Sequence, residues 1–275
     1  MKLPENVRNR YRAIWDFAAG EVAPQSMVAT LQLAPDNRCN FHCSYCPDHR
    51  DGSTIPRSEL SERVLAECLE LIPRVETLAF HGVSEFFIDR NFFDIVARCA
   101  AANANLSLNT NGSVWTERHG EVLKNYPGNL EMNVSLDAAS AASYLRIRGW
   151  QFDRTLANIG RYQEVLRQRA KPAWTSLSFV IMRTNVGEME AFVRLAASHG
   201  FRAVKFYRLH DYGSFAWQIQ SRDGKPFDYR DECPDRFPAE HDAGIRAAVG
   251  AARELGLAIE VPALFDPASV PGGAA

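Results

Sequence analysis

Apolar, β-rich runs alternate with helical patterns along most of this chain, and that alternation admits few folds. The strand candidates are Val28–Leu33, Val75–His81, Asn105–Leu108, Leu130–Leu136, Ser176–Met182, Arg202–Leu209 and Leu257–Val261. Between them lie helix candidates at about 58–72, 90–103, 116–125, 154–170, 188–199 and 239–255. Strands that alternate with helices of this length build right-handed βαβ units, so the expected class is α/β with a parallel sheet. The 275 residues suffice for one large domain or two small ones.

Side-chain periodicity supports the helices. The 58–72 segment opens on Ser58 as its cap and sets Leu60, Val64, Cys68 and Leu71 on one face. The 90–103 segment does the same with Phe92, Ile95, Val96 and Cys99, so Cys68 and Cys99 read as small core residues. Residues 1–24 read as an amphipathic helical extension and 263–275 as a loose tail. Residues 25–262 form the body, with a long polar loop at about 211–238.

Charge excludes several partners. The formal net charge is −2 and no lysine/arginine block stands out, so nothing points to nucleic acid or an anionic membrane. The N-terminal LPENVRNRYRAIWDF is too charged for the core of a signal peptide. No stretch approaches the roughly 18 apolar residues of a membrane span, and the expected compartment is the cytoplasm. Three of the six cysteines fall within eight positions, which suits a metal site in a reducing compartment better than a disulfide framework.

Polar residues collect where the strands end. Asn109 to Asn111 follow the third strand, Asp137 the fourth, Thr184 and Asn185 the fifth, and His210 with Asp211 the sixth. In a parallel barrel those positions line the C-terminal mouth, where active sites are built.

Immediately after the first strand stands APDNRCNFHCSYCPDHR, with the spacing Cys39-x3-Cys43-x2-Cys46. Thiolates suit iron–sulfur clusters, zinc and other soft metals. A structural zinc site takes four ligands, and here no second cysteine pair follows; His42 and His49 are the nearby imidazoles. Three ligands on a cubane would leave one iron open to a bound molecule. Spacing alone leaves a reactive iron–sulfur cluster, structural zinc and unrelated thiols all open.

With Tyr45 before the last cysteine, this loop resembles the radical SAM superfamily, and the resemblance runs over roughly residues 25 to 262. It implies a partial (β/α)6 TIM-like barrel and one [4Fe–4S] cluster on Cys39, Cys43 and Cys46. It also implies S-adenosylmethionine at the open iron, cleaved by one-electron reduction to methionine and a 5'-deoxyadenosyl radical. An external reductant such as a flavodoxin or ferredoxin is implied with it. The family's second-strand motif, usually Gly-x-Gly-Glu-Pro, stands here as Gly82-Val83-Ser84-Glu85-Phe86. The resemblance gives Glu85 the methionine ammonium and brings the backbone at Gly82 close to the cofactor, while Ser84 and Phe86 depart from the motif. LSLNTNGS is similar to the family's third-strand segment and sets Asn111 at the cofactor pocket. In LEMNVSLDAASAASYLRIRG it gives Ser135 the ribose, with Asp137 two residues on, and Arg148 the methionine carboxylate. Arg146 is the alternative partner. Asn185 either touches cofactor or caps the next helix.

On the sixth strand, strict alternation puts Lys205, Tyr207 and Leu209 on one face and Phe206, Arg208 and His210 on the other. Arg208, His210 and Asp211 are candidate substrate contacts. Cys233, in DYRDECPDRFP, lacks the apolar periodicity around Cys68 and Cys99 and is a candidate hydrogen donor to a substrate radical. The SPASM/twitch-type enzymes that this barrel resembles continue into a Cys-rich extension holding auxiliary clusters. Cys233 is the one cysteine beyond residue 99, so no auxiliary cluster is expected. That favours redox-neutral epimerisation, elimination or rearrangement of a small-molecule metabolite, in a biosynthetic role. One alternative is a peptide-modifying or dehydrogenating enzyme of the same family, although the 24 residues before the barrel leave no room for a leader-recognition domain. Outside the family, the alternative is a noncatalytic iron–sulfur or zinc-binding protein.

Overall fold

Every expected strand is present in the computed structural model, which describes residues 3–46, 57–82, 84–210, 218–220 and 223–266. They are β1 (Thr30–Gln32), β2 (Thr77–Phe80), β3 (Asn105–Thr110), β4 (Leu130–Ser135), β5 (Trp174–Ile181) and β6 (Ala203–Arg208). Two short strands follow, β7 (Gln218–Gln220) and β8 (Pro226–Asp228), before β9 (Ala258–Glu260). Seven of the nine form one sheet in the order β1-β2-β3-β4-β5-β6-β9. The pairings β1–β2, β2–β3, β5–β6 and β6–β9 are parallel, with Leu78 opposite Leu106, Phe179 opposite Phe206 and Val204 opposite Ile259. β2 and β5 are buried along nearly their whole length, as strands covered on both faces are, with Thr175, Ser176 and Ser178 buried among the apolar residues of β5. Strands β7 and β8 form an antiparallel hairpin inside the stretch expected to be a polar loop.

The helices are α1 (Glu5–Ala18), α2 (Glu62–Leu71), α3 (Phe92–Ala102), α4 (Glu117–Asn125), α5 (Ala141–Arg148), α6 (Phe152–Arg167), α7 (Met189–Ser198), α8 (Tyr229–Glu232) and α9 (Pro238–Leu255). The cap of α2 is Ser61, whose hydroxyl accepts from the Val64 N–H at 3.3 Å, and not Ser58. Residues 58–60 pair instead with the segment after β1, through Asn37 N–H to Ser58 O and Leu60 N–H to Pro35 O. Cys99 is fully buried as expected, but Cys68 is only half-buried, on a helix with no fully buried residue. Helix α5 was not legible from periodicity. Its signals are at its ends: Ser140 accepts from Ser143 N–H, and Gly149 closes it at φ 69°.

Two compact units make up the chain. The first comprises Met1–Asn40, Pro56–Asn133 and Arg161–Trp174. Its core is an aromatic cluster in which Phe80 packs on Phe86 and Phe92, and Phe87 stacks on Tyr162. His119 sits inside it, 4.9 to 5.2 Å from the rings of Phe87, Phe92 and Phe93. The second unit comprises Phe41–Ile55, Val134–Gly160 and Thr175–Ala275. There Phe179 packs on Phe192 and Phe206. Gly244 brings α9 close to α7: a methyl group at that position would stand 2.6 Å from the Met189 sulfur.

Burial drives the pKa of His119 down from 6.5 to about 4, with the Arg118 guanidinium adding to the effect. The imidazole is neutral when folded, so its contribution is complete above pH 6.5 and is lost as pH falls through 4. Between pH 7 and pH 4 the first unit therefore loses about 1–3 kcal/mol from this group, allowing for partial solvent screening. Denaturant titrations across that range should show His119→Gln losing less stability than the wild type; parallel curves would refute the assignment.

Candidate active site

In the first unit, a buried carboxylate gathers the ends of two strands. Glu85 is 2% exposed and caps the short helical turn at Phe86–Ile88, accepting from Phe87 N–H at 3.3 Å. It also accepts from the Thr110 hydroxyl and from Asn111 N–H, both at 2.7 Å. The loop after β2 is thereby tied to the end of β3. Asn111 turns its amide toward the cysteine loop, donating to Asn40 Oδ1 at 3.0 Å and standing 3.9 Å from Cys39 Sγ. Asn40 in turn donates to Ser113 Oγ at 2.8 Å. Gly112 takes φ 71°, a left-handed conformation that glycine adopts without steric cost and that turns the chain at this strand end. A Cβ on Gly82 would lie 3.2 Å from the Ala34 Cβ, so its closeness here is to the segment after β1.

In the second unit the centre is Asp137, fully buried and in the left-handed region at φ 63°. Its carboxylate accepts from the Tyr45 hydroxyl and from Val180 N–H, each at 2.8 Å. Arg148 Nη2 stands 2.6 Å from Oδ2, an ion pair outside good hydrogen-bond geometry. Arg148 Nη1 donates to Cys43 Sγ at 3.5 Å, while its buried Nε finds no hydrogen-bond partner among the described residues. Burial pushes the Cys43 thiol up, against the pull of Arg148. The Tyr45 phenol is driven well above its usual range by the same burial. For Arg148 burial is the largest influence and opposes the charge, but Asp137, Tyr45, Cys43 and Tyr144 together outweigh it and hold the guanidinium well above its ordinary value. Ser44 fixes the cysteine loop to α5 through its N–H to Ile147 O at 2.8 Å, and Cys46 N–H closes a turn on Cys43 O at 3.1 Å.

The two arginines differ in their contacts. Arg146 leaves the cysteine loop for the hairpin, donating to Pro226 O at 3.0 Å and pairing with Asp223 at 3.5 Å. Asn185 stands at the N-cap position of the turn Val186–Glu188 but makes no side-chain cap bond to it. Its amide donates to Asp137 O and Val180 O and accepts from Met182 N–H, which holds Asp137 in place. Ser135 meets Ser178 Oγ at 3.3 Å. Glu188, unnoticed in the sequence, binds Ala139 N–H and the hydroxyls of Ser140 and Ser143 at 2.6 to 2.7 Å. It anchors the loop that follows Asp137.

A cavity of about 630 Å³ opens in the second unit, bordered by Tyr45, Val180, Phe206, Tyr207, Arg208, Leu209, His210, Tyr229 and the Glu260–Pro262 segment. Residues of both alternation sets of β6 border it, Phe206 and Arg208 from one and Tyr207 from the other, with Leu209 and His210 following the strand end. Arg208 and His210, two of the candidate substrate contacts, line it; the third, Asp211, lies outside the described residues. Cys233 is packed behind the wall with Ile147, Met182, Leu209, Phe227 and Tyr229, and its thiol donates to Tyr229 O at 3.3 Å. Packing thus accounts for a cysteine whose sequence neighbours suggested none.

All three loop cysteines are thiols, Cys39 in the first unit and Cys43 and Cys46 in the second. Among the described residues no three His, Cys, Asp or Glu side chains stand at metal-holding spacing. Within each unit a nitrogen donor faces a loop sulfur, Asn111 that of Cys39 in the first and Arg148 that of Cys43 in the second, a donor chemistry that suits metal-bound thiolates.

Comparison with known proteins bears on the same residues. A family model described as the radical SAM superfamily matches residues 34–196. A probable GTP 3',8-cyclase of Methanocella arvoryzae is 31% identical over 48% of this chain and 42% of its own. The mycofactocin maturase MftC of Mycobacterium tuberculosis is 28% identical over 69% of this chain and 46% of its own. The chain thus spans less than half the length of these curated relatives. Among solved structures, Streptococcus suis SuiB bound to S-adenosylmethionine superimposes with a TM-score of 0.64 at 13% identity, over 93% of this chain and 55% of SuiB. The enzyme anSMEcpe with bound AdoMet gives 0.62 at 15% identity, over 84% of this chain and 63% of its own. Those likenesses show the fold, the partial TIM-like barrel expected from the sequence. Among the described residues no helix is long and apolar enough to cross a membrane. With the matched segment running from the cysteine loop into α7, over more than half of the 275 residues, this chain belongs to the radical SAM superfamily of enzymes.

Proposed function

We propose that the chain holds one [4Fe–4S] cluster on Cys39, Cys43 and Cys46, binds S-adenosylmethionine beside it, and abstracts hydrogen from a small-molecule metabolite in the cavity walled by β6. The observation that carries this is the Cys43–Arg148–Asp137–Tyr45 chain of contacts, which joins a cluster cysteine to a cavity-lining residue. When bound, the cluster and S-adenosylmethionine supply a 5'-deoxyadenosyl radical from one electron, delivered by an external reductant such as a flavodoxin or ferredoxin.

This chain's residues prepare the site. Arg148 stabilises negative charge on the Cys43 sulfur and offers Nε to the methionine carboxylate. Asp137 fixes the position of Arg148 and Tyr45. Glu85 and Asn111 present a carboxylate and an amide for the methionine ammonium and the adjoining pocket, and Ser135 a hydroxyl for the ribose. Apolar walls from Val180, Phe206 and Leu209 shield the reacting atoms from water. The overall outcome proposed is redox-neutral. A peptide substrate is the second reading, supported by the mycofactocin maturase relative and by SuiB, whose fold is also known bound to the precursor peptide SuiA.

Anaerobic reconstitution should give about four irons and four sulfides per chain. Cys39→Ala, Cys43→Ala and Cys46→Ala should each lose the cluster, whereas Cys68→Ala and Cys99→Ala keep it. Reduced with dithionite, the wild type should release 5'-deoxyadenosine from S-adenosylmethionine. Bound zinc without iron–sulfur absorbance, or no release, would overturn the proposal.

The arginines give a sharper test. Arg148→Ala should weaken S-adenosylmethionine binding by roughly ten- to a hundredfold, the loss of a charge-assisted hydrogen bond. Arg146→Ala should leave that affinity nearly unchanged, because its guanidinium serves the β7–β8 hairpin. The reverse pattern in equilibrium binding would place the carboxylate seat on the wrong arginine.

A further inference from the structure

Among the described residues, Arg208 is the cation of the cavity wall whose setting is built in depth. Its Nε donates to His241 Nε2 at 3.3 Å, its Nη2 donates to Ala263 O, and its guanidinium lies 3.9 Å over the Phe265 ring. Nη1 has no partner among the described residues. Behind it, His241 is fully buried and its Nδ1 pairs with Asp242 Oδ1 at 2.8 Å. Asp242 is itself locked by the backbone N–H groups of Phe265 and Asp266, at 3.0 and 2.9 Å. Burial holds the His241 imidazole below its ordinary pKa, and the Asp242 carboxyl lies at about 2. The imidazole is therefore neutral, with its proton on Nδ1 toward Asp242 and its Nε2 lone pair toward Arg208.

The rest of the wall has a different character. Tyr45, Phe206, Tyr207 and Tyr229 give an aromatic lining, and Glu260 adds one negative charge from β9. A strand-end arginine that only closed the fold would not need an aromatic chamber beside it.

Resting on the radical SAM reading above, we propose that this cavity takes a monocarboxylate with an apolar or aromatic body. The carboxylate sits on Arg208, which the Asp242–His241 pair holds in position. Glu260 disfavours a second anionic group in the same space, so polyphosphates and dianions are poor ligands. Arg208 would touch the substrate; His241 and Asp242 are positioning residues that act through it.

The reconstituted full chain is titrated, without oxygen, with two probes of one shape, 3-phenylpropanoate and 3-phenylpropanamide, by calorimetry or saturation-transfer NMR. The wild type should bind the acid roughly tenfold or more tightly than the amide, as a charge-assisted hydrogen bond requires. Arg208→Gln should abolish that preference and leave amide binding as it was. His241→Leu should reduce the preference, and His241→Gln, whose side-chain oxygen can accept the Arg208 N–H, should restore it. A merely structural role would instead move both probes together. Equal affinities in the wild type, no binding of either probe, a preference that survives Arg208→Gln, or displacement of the acid by S-adenosylmethionine would each overturn the proposal. Release of 5'-deoxyadenosine by the same preparation reports separately on the underlying enzyme class, so the two failures are distinguishable.

Discussion

The second unit turns on the buried carboxylate of Asp137. Taking a carboxylate out of water costs several kcal/mol, and the cost is offset only where its oxygens are matched by charge and donors. Here the match is a phenol, a backbone N–H and a guanidinium, while Asn185 holds the main-chain carbonyl. The left-handed backbone at Asp137 adds a further cost of about 1–3 kcal/mol, one that aspartate tolerates better than most residues. The partners come from three places: the cysteine loop, the end of β5 and the end of α5. One strained residue thereby decides where Tyr45 and Arg148 stand, and through Arg148 where the Cys43 sulfur stands.

Glu85 follows the same logic in the first unit with different partners. Its donors are a hydroxyl and two backbone N–H groups, so it organises loops without a cation. In both units an acid near a strand end is immobilised by groups that belong to neighbouring strands. The benefit is preorganisation: side chains held in this way have already lost the freedom that binding a ligand would otherwise take from them.

Much of this was legible in the sequence, and the rest was hidden for identifiable reasons. Strands and long helices were readable because period-2 and period-3.6 patterns survive over many residues, as the buried stripe of Phe92, Ile95, Val96 and Cys99 shows. Helix α5 has eight residues and ends in Arg146 and Arg148, too short and too polar for periodicity to show. The β7–β8 hairpin is three residues a side, below the length at which alternation can be told from loop. The cysteine spacing revealed the loop. Nothing in the sequence revealed that Asp137 adopts a positive φ, that Asn185 spends its amide on backbone carbonyls, or that Cys233 is covered by Phe227 and Tyr229. Those are facts of tertiary packing between segments far apart in the chain.

The two arginine–acid systems of the second unit, Arg148 buried and Arg208 half-buried, differ in a way that suits different tasks. Arg148 touches Asp137 directly, so much of its charge is answered within the protein and the remainder falls on the Cys43 sulfur. Between Arg208 and Asp242 stands a neutral imidazole. That spacer fixes the guanidinium without laying a carboxylate against it, and Arg208 keeps more of its charge for whatever enters from the cavity side. An acid in direct contact would have oriented Arg208 as firmly but cancelled the attraction; water alone would have left the charge but not the direction. The imidazole supplies direction and spares the charge, and it can do so only because burial keeps it unprotonated.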